Sequence, residues 1–124
     1  MHELFEIIER EQQNFSVKVS CYMLELYNDQ LVDLLADGKG EDGKKKDKAE
    51  KLSIKVDKKG VVVVQGAQVK GPCANVNELH KWNDIGMNSR HVASTAMNAE
   101  SSRSHLVFSI LVESTNKTTL CVCV

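Results

Sequence analysis

The sequence predicts an α/β domain: strands of a mixed sheet, flanking helices and a separate β-hairpin. Three observations carry this. Phe15 to Tyr27 alternates with a period of two, placing Phe15, Val17, Val19, Cys21 and Met23 on one face. Val76, Leu79, Trp82 and Ile85 recur at helical spacing. Leu52–Val56 and Val61–Val69 are β-rich runs joined by Asp57-Lys58-Lys59-Gly60.

In chain order, residues 2–13 carry Leu4, Phe5, Ile7 and Ile8 as a short helical stripe ending at Asn14. In the strand that follows, Tyr22, Leu24 and Leu26 fill the second face of its later half. That pattern suits an interior strand buried on both sides. Asn28 then caps a short helical turn bearing Leu31, Leu34 and Leu35. Residues 36–51 hold no large apolar side chain and mix six lysines with five acidic residues, so they form a solvated, mobile insertion. Gly60 closes the hairpin in the left-handed conformation.

Asn75, with Glu78 three residues later, opens the second helix as a capping box, and that helix frays from Gly86 to Arg90. Trp82 serves as a core anchor. Leu106, Phe108, Ile110 and Val112 alternate against Val107, Ser109, Leu111 and Glu113 as a mostly buried strand, and residues 116–119 turn the chain. Leu120 to Val124 is a short apolar run.

The 124 residues suffice for one compact domain, and 42% apolar with 27% charged residues is an ordinary globular composition. A net charge of −1 creates no global attraction to nucleic acid or to an anionic membrane. No apolar run approaches the roughly 18–20 residues of a membrane span, and the N-terminus lacks the pattern of a secretory signal. Cys21, Cys73, Cys121 and Cys123 match neither zinc-ligand nor disulfide-scaffold spacing; Cys21 reads as a buried reduced thiol, which points to the cytoplasm. His2, His80 and His91 have no partner at metal-ligand spacing.

Chemistry concentrates in residues 90–105, where a helix gives way to a strand. Ser and Asn there can approach phosphate oxygens or the water shell of magnesium, and Arg can hold a carboxylate or phosphate through two parallel bonds. The same composition also fits a loop whose Ser and Asn side chains bond neighbouring backbone.

The string Thr95-Ala96-Met97-Asn98-Ala99-Glu100-Ser101-Ser102-Arg103-Ser104-His105 resembles the switch I segment of kinesin motor domains, T-x-M-N-x-x-S-S-R-S-H. Leu26-Tyr27-Asn28-Asp29-Gln30-Leu31-Val32-Asp33-Leu34-Leu35 resembles the family's E-I-Y-N-E-x-I-x-D-L-L, with Leu26 in place of isoleucine. Leu52-Ser53-Ile54 with Asp57-Lys58-Lys59-Gly60 resembles its loop 8 hairpin, and Glu78-Leu79, Gly86 and Arg90 sit where its helix 3 has them. Glu113-Ser114-Thr115-Asn116 is similar to minus-end-directed kinesins with a C-terminal motor, including the calmodulin-binding plant type.

The resemblance spans residues 1–119 and implies part of a P-loop NTPase-type motor fold, with 120–124 as a tail that does not match. It implies a microtubule motor that hydrolyses ATP with magnesium in the cytoplasm, on the cytoskeleton. Ser102 would help hold Mg2+, Ser101 and Asn98 would contact the γ-phosphate or orient the attacking water, and Arg103 would pair with a switch II glutamate. Lys55, Lys58 and Lys59 would face tubulin.

Two parts of the family pattern are missing from these residues: the phosphate loop G-x-x-x-x-G-K-[ST] and the switch II sequence D-L-A-G-S-E. The chain is therefore expected to be inactive alone and to need the remainder of a motor domain. Exposed strand edges would favour self-association. A second reading is a non-enzymatic module that binds microtubules or another protein.

Overall fold

A computed structural model describes residues 1–36, 52–58, 60, 62–90 and 104–123. Among these residues six strands and two helices follow in the order α1 (His2–Glu11), β1 (Phe15–Tyr27), β2 (Gln30–Asp33), β3 (Ser53–Val56), β4 (Val62–Gln65), α2 (Val76–Asn88), β5 (Ser104–Asn116) and β6 (Val122–Cys123). The α/β architecture is as the alternating and helical patterns predict. The main sheet has the order β2-β1-β5-β6, and β3 with β4 forms a separate hairpin. Every pairing between these strands is antiparallel.

β1 is the centre of the molecule. It pairs with β5 from Phe15↔Asn116 to Tyr27↔Ser104, and with β2 along its last four residues. Val19, Cys21, Met23 and Glu25 are buried on one face, and Leu24 adds burial on the other, as an interior strand requires. Cys21, Met23, Leu34, Leu35, Cys73 and Leu79 form the core, with Phe5, Trp82, Leu106, Phe108 and Ile110 packed around it. Trp82 thus has the anchoring role its spacing implies, and the Lys70 ammonium lies 5.4 Å from its ring centre.

Three expectations need correction. Residues 28–35 hold no helical turn. Asn28 and Asp29 both take positive φ, 47° and 59°, which makes a two-residue turn matching strand twist and returns the chain as β2. Asn and Asp tolerate the left-handed region, so the pair that reads as a helix cap acts as a hairpin turn. Leu34 and Leu35 still reach the core.

Second, α2 does not fray at Gly86. It runs to Asn88, and Gly86 is buried where a Cβ would overlap the Met23 side chain. Third, β5 is half-buried along most of its length, with Val107 exposed, because β6 pairs only with Ser114 and Thr115. The run from Val61 shortens to β4; beyond it, Lys70 bridges Cys21 on β1. Gly60, at φ 81°, takes the left-handed conformation expected of it. The proposed insertion at 37–51 lies outside the described residues.

Candidate functional site

The sequence places its chemistry between α2 and β5, so the structure of those two elements sets the site's borders. α2 starts at Asn75, whose Oδ1 accepts the Glu78 N–H at 3.0 Å. The Glu78 carboxylate reaches back to the Ala74 N–H at 2.8 Å, one residue before the cap. Leu79 is fully buried, and Gly86 lies against Met23 of β1. At its far end, Ser89 closes the helix through its N–H and its Oγ, both bonded to the Ile85 carbonyl. α2 is therefore fixed at both ends and on its inner face.

Directly after that helix, Arg90 turns inward toward Glu25. Glu25 is 0% exposed, a carboxylate within the sheet. Its Oε1 accepts the Ser104 hydroxyl at 2.8 Å and the Arg90 Nε–H at 3.4 Å. Arg90 Nη2 in turn donates to Ser104 Oγ at 3.2 Å, closing a three-membered ring of bonds. The arrangement is chemically consistent: the serine O–H donates to the carboxylate while its lone pair accepts from the guanidinium. A buried carboxylate survives only when paired and hydrogen-bonded in this way.

Asn98, Ser101, Ser102 and Arg103 lie outside the described residues. The structure describes the residues on either side of them, Arg90 and Ser104, and brings both to Glu25. Sequence reasoning gave Glu25 no role. The signal was present: a lone carboxylate inside Cys-Tyr-Met-Leu-Glu-Leu-Tyr, in a strand whose neighbours are apolar, demands a buried partner.

Lys55 and Lys58 are exposed on the β3–β4 hairpin, and Lys59 lies outside the described residues. Lys55 pairs with Val63, whereas Ile54 and Val56 pair with Val64 and Val62, so alternation puts Lys55 on the opposite face.

Two thiols lie in the core, Cys21 on β1 and Cys73 ahead of α2. Burial, foremost, and then the neighbouring Cys73 push the Cys21 thiol up from 9.0 to about 11. Cys73 is also raised, mainly by burial and secondly by Glu78. All four cysteines are free. Among the described residues no group of His, Cys, Asp and Glu is placed to hold a metal ion, and no helix is long and apolar enough to cross a membrane.

Comparison with known proteins agrees with this geometry. The kinesin motor domain family matches residues 1–121. The rice (Oryza sativa subsp. japonica) kinesin-like protein KIN-14I is 44% identical over 117 residues, which cover 92% of this chain and 8% of that protein. KIN-14E of Arabidopsis thaliana is 43% identical over 112 residues, covering 90% and 8%. The solved structure of a fast kinesin superposes with a TM-score of 0.74 at 29% identity, covering 97% of this chain and 31% of that one. The fold built on the antiparallel β1–β5 pairing is thus shared with a solved kinesin structure. The chain belongs to the kinesin motor domain family and carries part of that domain.

Proposed function

We propose that this chain supplies the nucleotide-sensing portion and the microtubule-facing hairpin of an ATP-driven motor, and that it has no turnover by itself. The observation that carries the reading is the string Thr95 to His105, bordered by a helix and strand of the family's fold. The donor set fits its proposed ligand: the hydroxyl and amide groups of Ser101, Ser102 and Asn98 suit phosphate oxygens and a magnesium ion that keeps most of its waters. Ser102 would help hold that ion. Ser101 and Asn98 would contact the γ-phosphate or orient the attacking water, and Arg103 would latch the segment onto a switch II glutamate. Bound Mg-ATP would supply the reactive phosphoryl group and neutralise its developing charge. All four residues act by placing charge and hydrogen bonds, the main route available in phosphoryl transfer.

The phosphate cradle and its lysine are not in these residues, so Mg-ATP should bind with at most about millimolar affinity, roughly 4 kcal/mol. Isothermal titration of the purified chain should show no stronger binding and no phosphate release; micromolar binding or steady turnover would overturn this. The remainder of a motor domain is the partner that would complete the site. We place such a motor in the cytoplasm, on the cytoskeleton.

The exposed hairpin favours a second, compatible reading as a microtubule contact without catalysis. Lys55, Lys58 and Lys59 present three positive charges to an acidic surface, enough to steer an encounter but screened by salt. Microtubule co-sedimentation should be weak at low ionic strength, vanish near about 0.15 M salt and disappear when all three lysines are changed to glutamate. Binding that survives the charge reversal would remove the hairpin from the contact.

A further inference from the structure

Arg90 and Ser104 are 14 positions apart in sequence, yet both reach the same buried oxygen, Glu25 Oε1. One is the second residue after α2, and the other opens β5. Glu25 sits between them on β1, opposite Leu106 in the ladder. We propose that Glu25 is a positioning residue that clasps these two chain ends, fixing where the polypeptide leaves α2 and where it enters the sheet. The nucleotide-sensing role assigned above to the residues between those ends gives the clasp its use; the clasp itself rests on geometry alone.

Three features favour positioning over bulk stabilisation. Arg90 and Ser104, which both bond the carboxylate, lie at two element boundaries rather than within one element. Each member bonds both others, so loss of one loosens the remaining pair. The Arg90 stem is also held locally, its N–H bonding the Met87 carbonyl at 3.4 Å, so the guanidinium is presented from a helix end that is itself fixed.

The test is residue-resolved amide exchange on the whole chain, comparing Glu25→Gln, Ser104→Ala and Arg90→Lys with the parent. Glu25→Gln keeps the shape but removes the charge. The other two disturb the ring without leaving an uncompensated carboxylate, so they serve if Glu25→Gln does not fold. Exchange at Ser89, Arg90, Ser104 and His105 should accelerate about tenfold or more relative to Leu34, whose N–H bonds Met23 on the same strand. Glu25→Asp, which retains the charge, should recover part of the protection. Acceleration spread evenly over the sheet, or none at any of the four positions, would overturn the clasp. A parallel Mg-ATP titration followed at the Ser104 and His105 amides separates the two ideas. Localised exchange without nucleotide shifts in this chain alone leaves the clasp standing and matches the weak binding expected above. Shifts that stay absent once the remainder of a motor domain is supplied would remove the nucleotide role and not the clasp.

Discussion

Glu25 and Cys21 lie four residues apart on β1, and both are 0% exposed. Burial acts on them in opposite ways. Glu25 remains compatible with charge because Arg90 and Ser104 surround it, so replacing it with alanine should cost about 3–5 kcal/mol through the stranded Arg90 guanidinium. Cys21 lies buried beside Cys73, and burial first, then that neighbour, raise its pKa. The sign follows directly: a group with a folded value of about 11 against an ordinary 9.0 stabilises the fold fully below about pH 9 and loses that contribution as pH rises toward 11. Urea midpoints should therefore fall between those values, and Cys21→Ala should flatten the fall. At about pH 8 a thiol reagent should modify Cys121 and Cys123 quickly, because both are exposed, and should reach Cys21 and Cys73 only on unfolding. Rapid modification of all four in the folded chain would contradict the core described here.

The contact of α2 with β1 turns on one glycine. Gly86 has no Cβ, and Met23 occupies the space one would fill. Alanine there gains about 1 kcal/mol of helix propensity but overpacks a closed site by about 1–3 kcal/mol. We expect Gly86→Ala to destabilise by about 1 kcal/mol, and to become neutral or stabilising when Met23→Ala has already emptied the site. Chemical denaturation of the four-member cycle measures that reversal; additivity would show that the helix docks elsewhere.

The same pair shows where the sequence was readable. Period-two alternation gave β1 to the residue, because one buried face constrains every second position. The Asn75 cap with Glu78 gave the start of α2. The close approach at Gly86 was invisible, because nothing local distinguishes a glycine that ends a helix from one that admits a neighbour's side chain. The turn at Asn28-Asp29 failed for a related reason: the two residue types that cap helices also occupy left-handed turns, and only pairing with β1 decides between them. For the site, the family motif could be read in the sequence, while Asn98, Ser101, Ser102 and Arg103 lie outside the described residues. Its anchor at Glu25 was not, since Arg90 and Ser104 lie 65 and 79 positions away.

On the scale of the molecule, the described residues leave the sheet and hairpin incompletely covered. The chain spans about a tenth or less of the curated relatives it matches and 31% of the matched kinesin structure. In the β3–β4 hairpin, Ile54, Val56 and Val62 are 65%, 65% and 62% exposed, and the register sets them with Val64 on one face. Four β-branched side chains on the same face of a two-stranded sheet form an adhesive surface, and each strand has one edge with no partner strand among the described residues. A second copy of the chain offers an identical face, and apolar association is not weakened by salt as the lysine contact would be. Sedimentation velocity should therefore show the weight-average coefficient rising between about 1 µM and about 1 mM, the range in which exposed edges and apolar surface drive association. Ile54→Lys with Val62→Lys should suppress the rise by placing like charges on both partners, while leaving the β1–β5 core and its unfolding midpoint unchanged. A chain that stays monomeric over the whole range, or whose association ignores the two lysines, would mean that the hairpin face is not where copies meet.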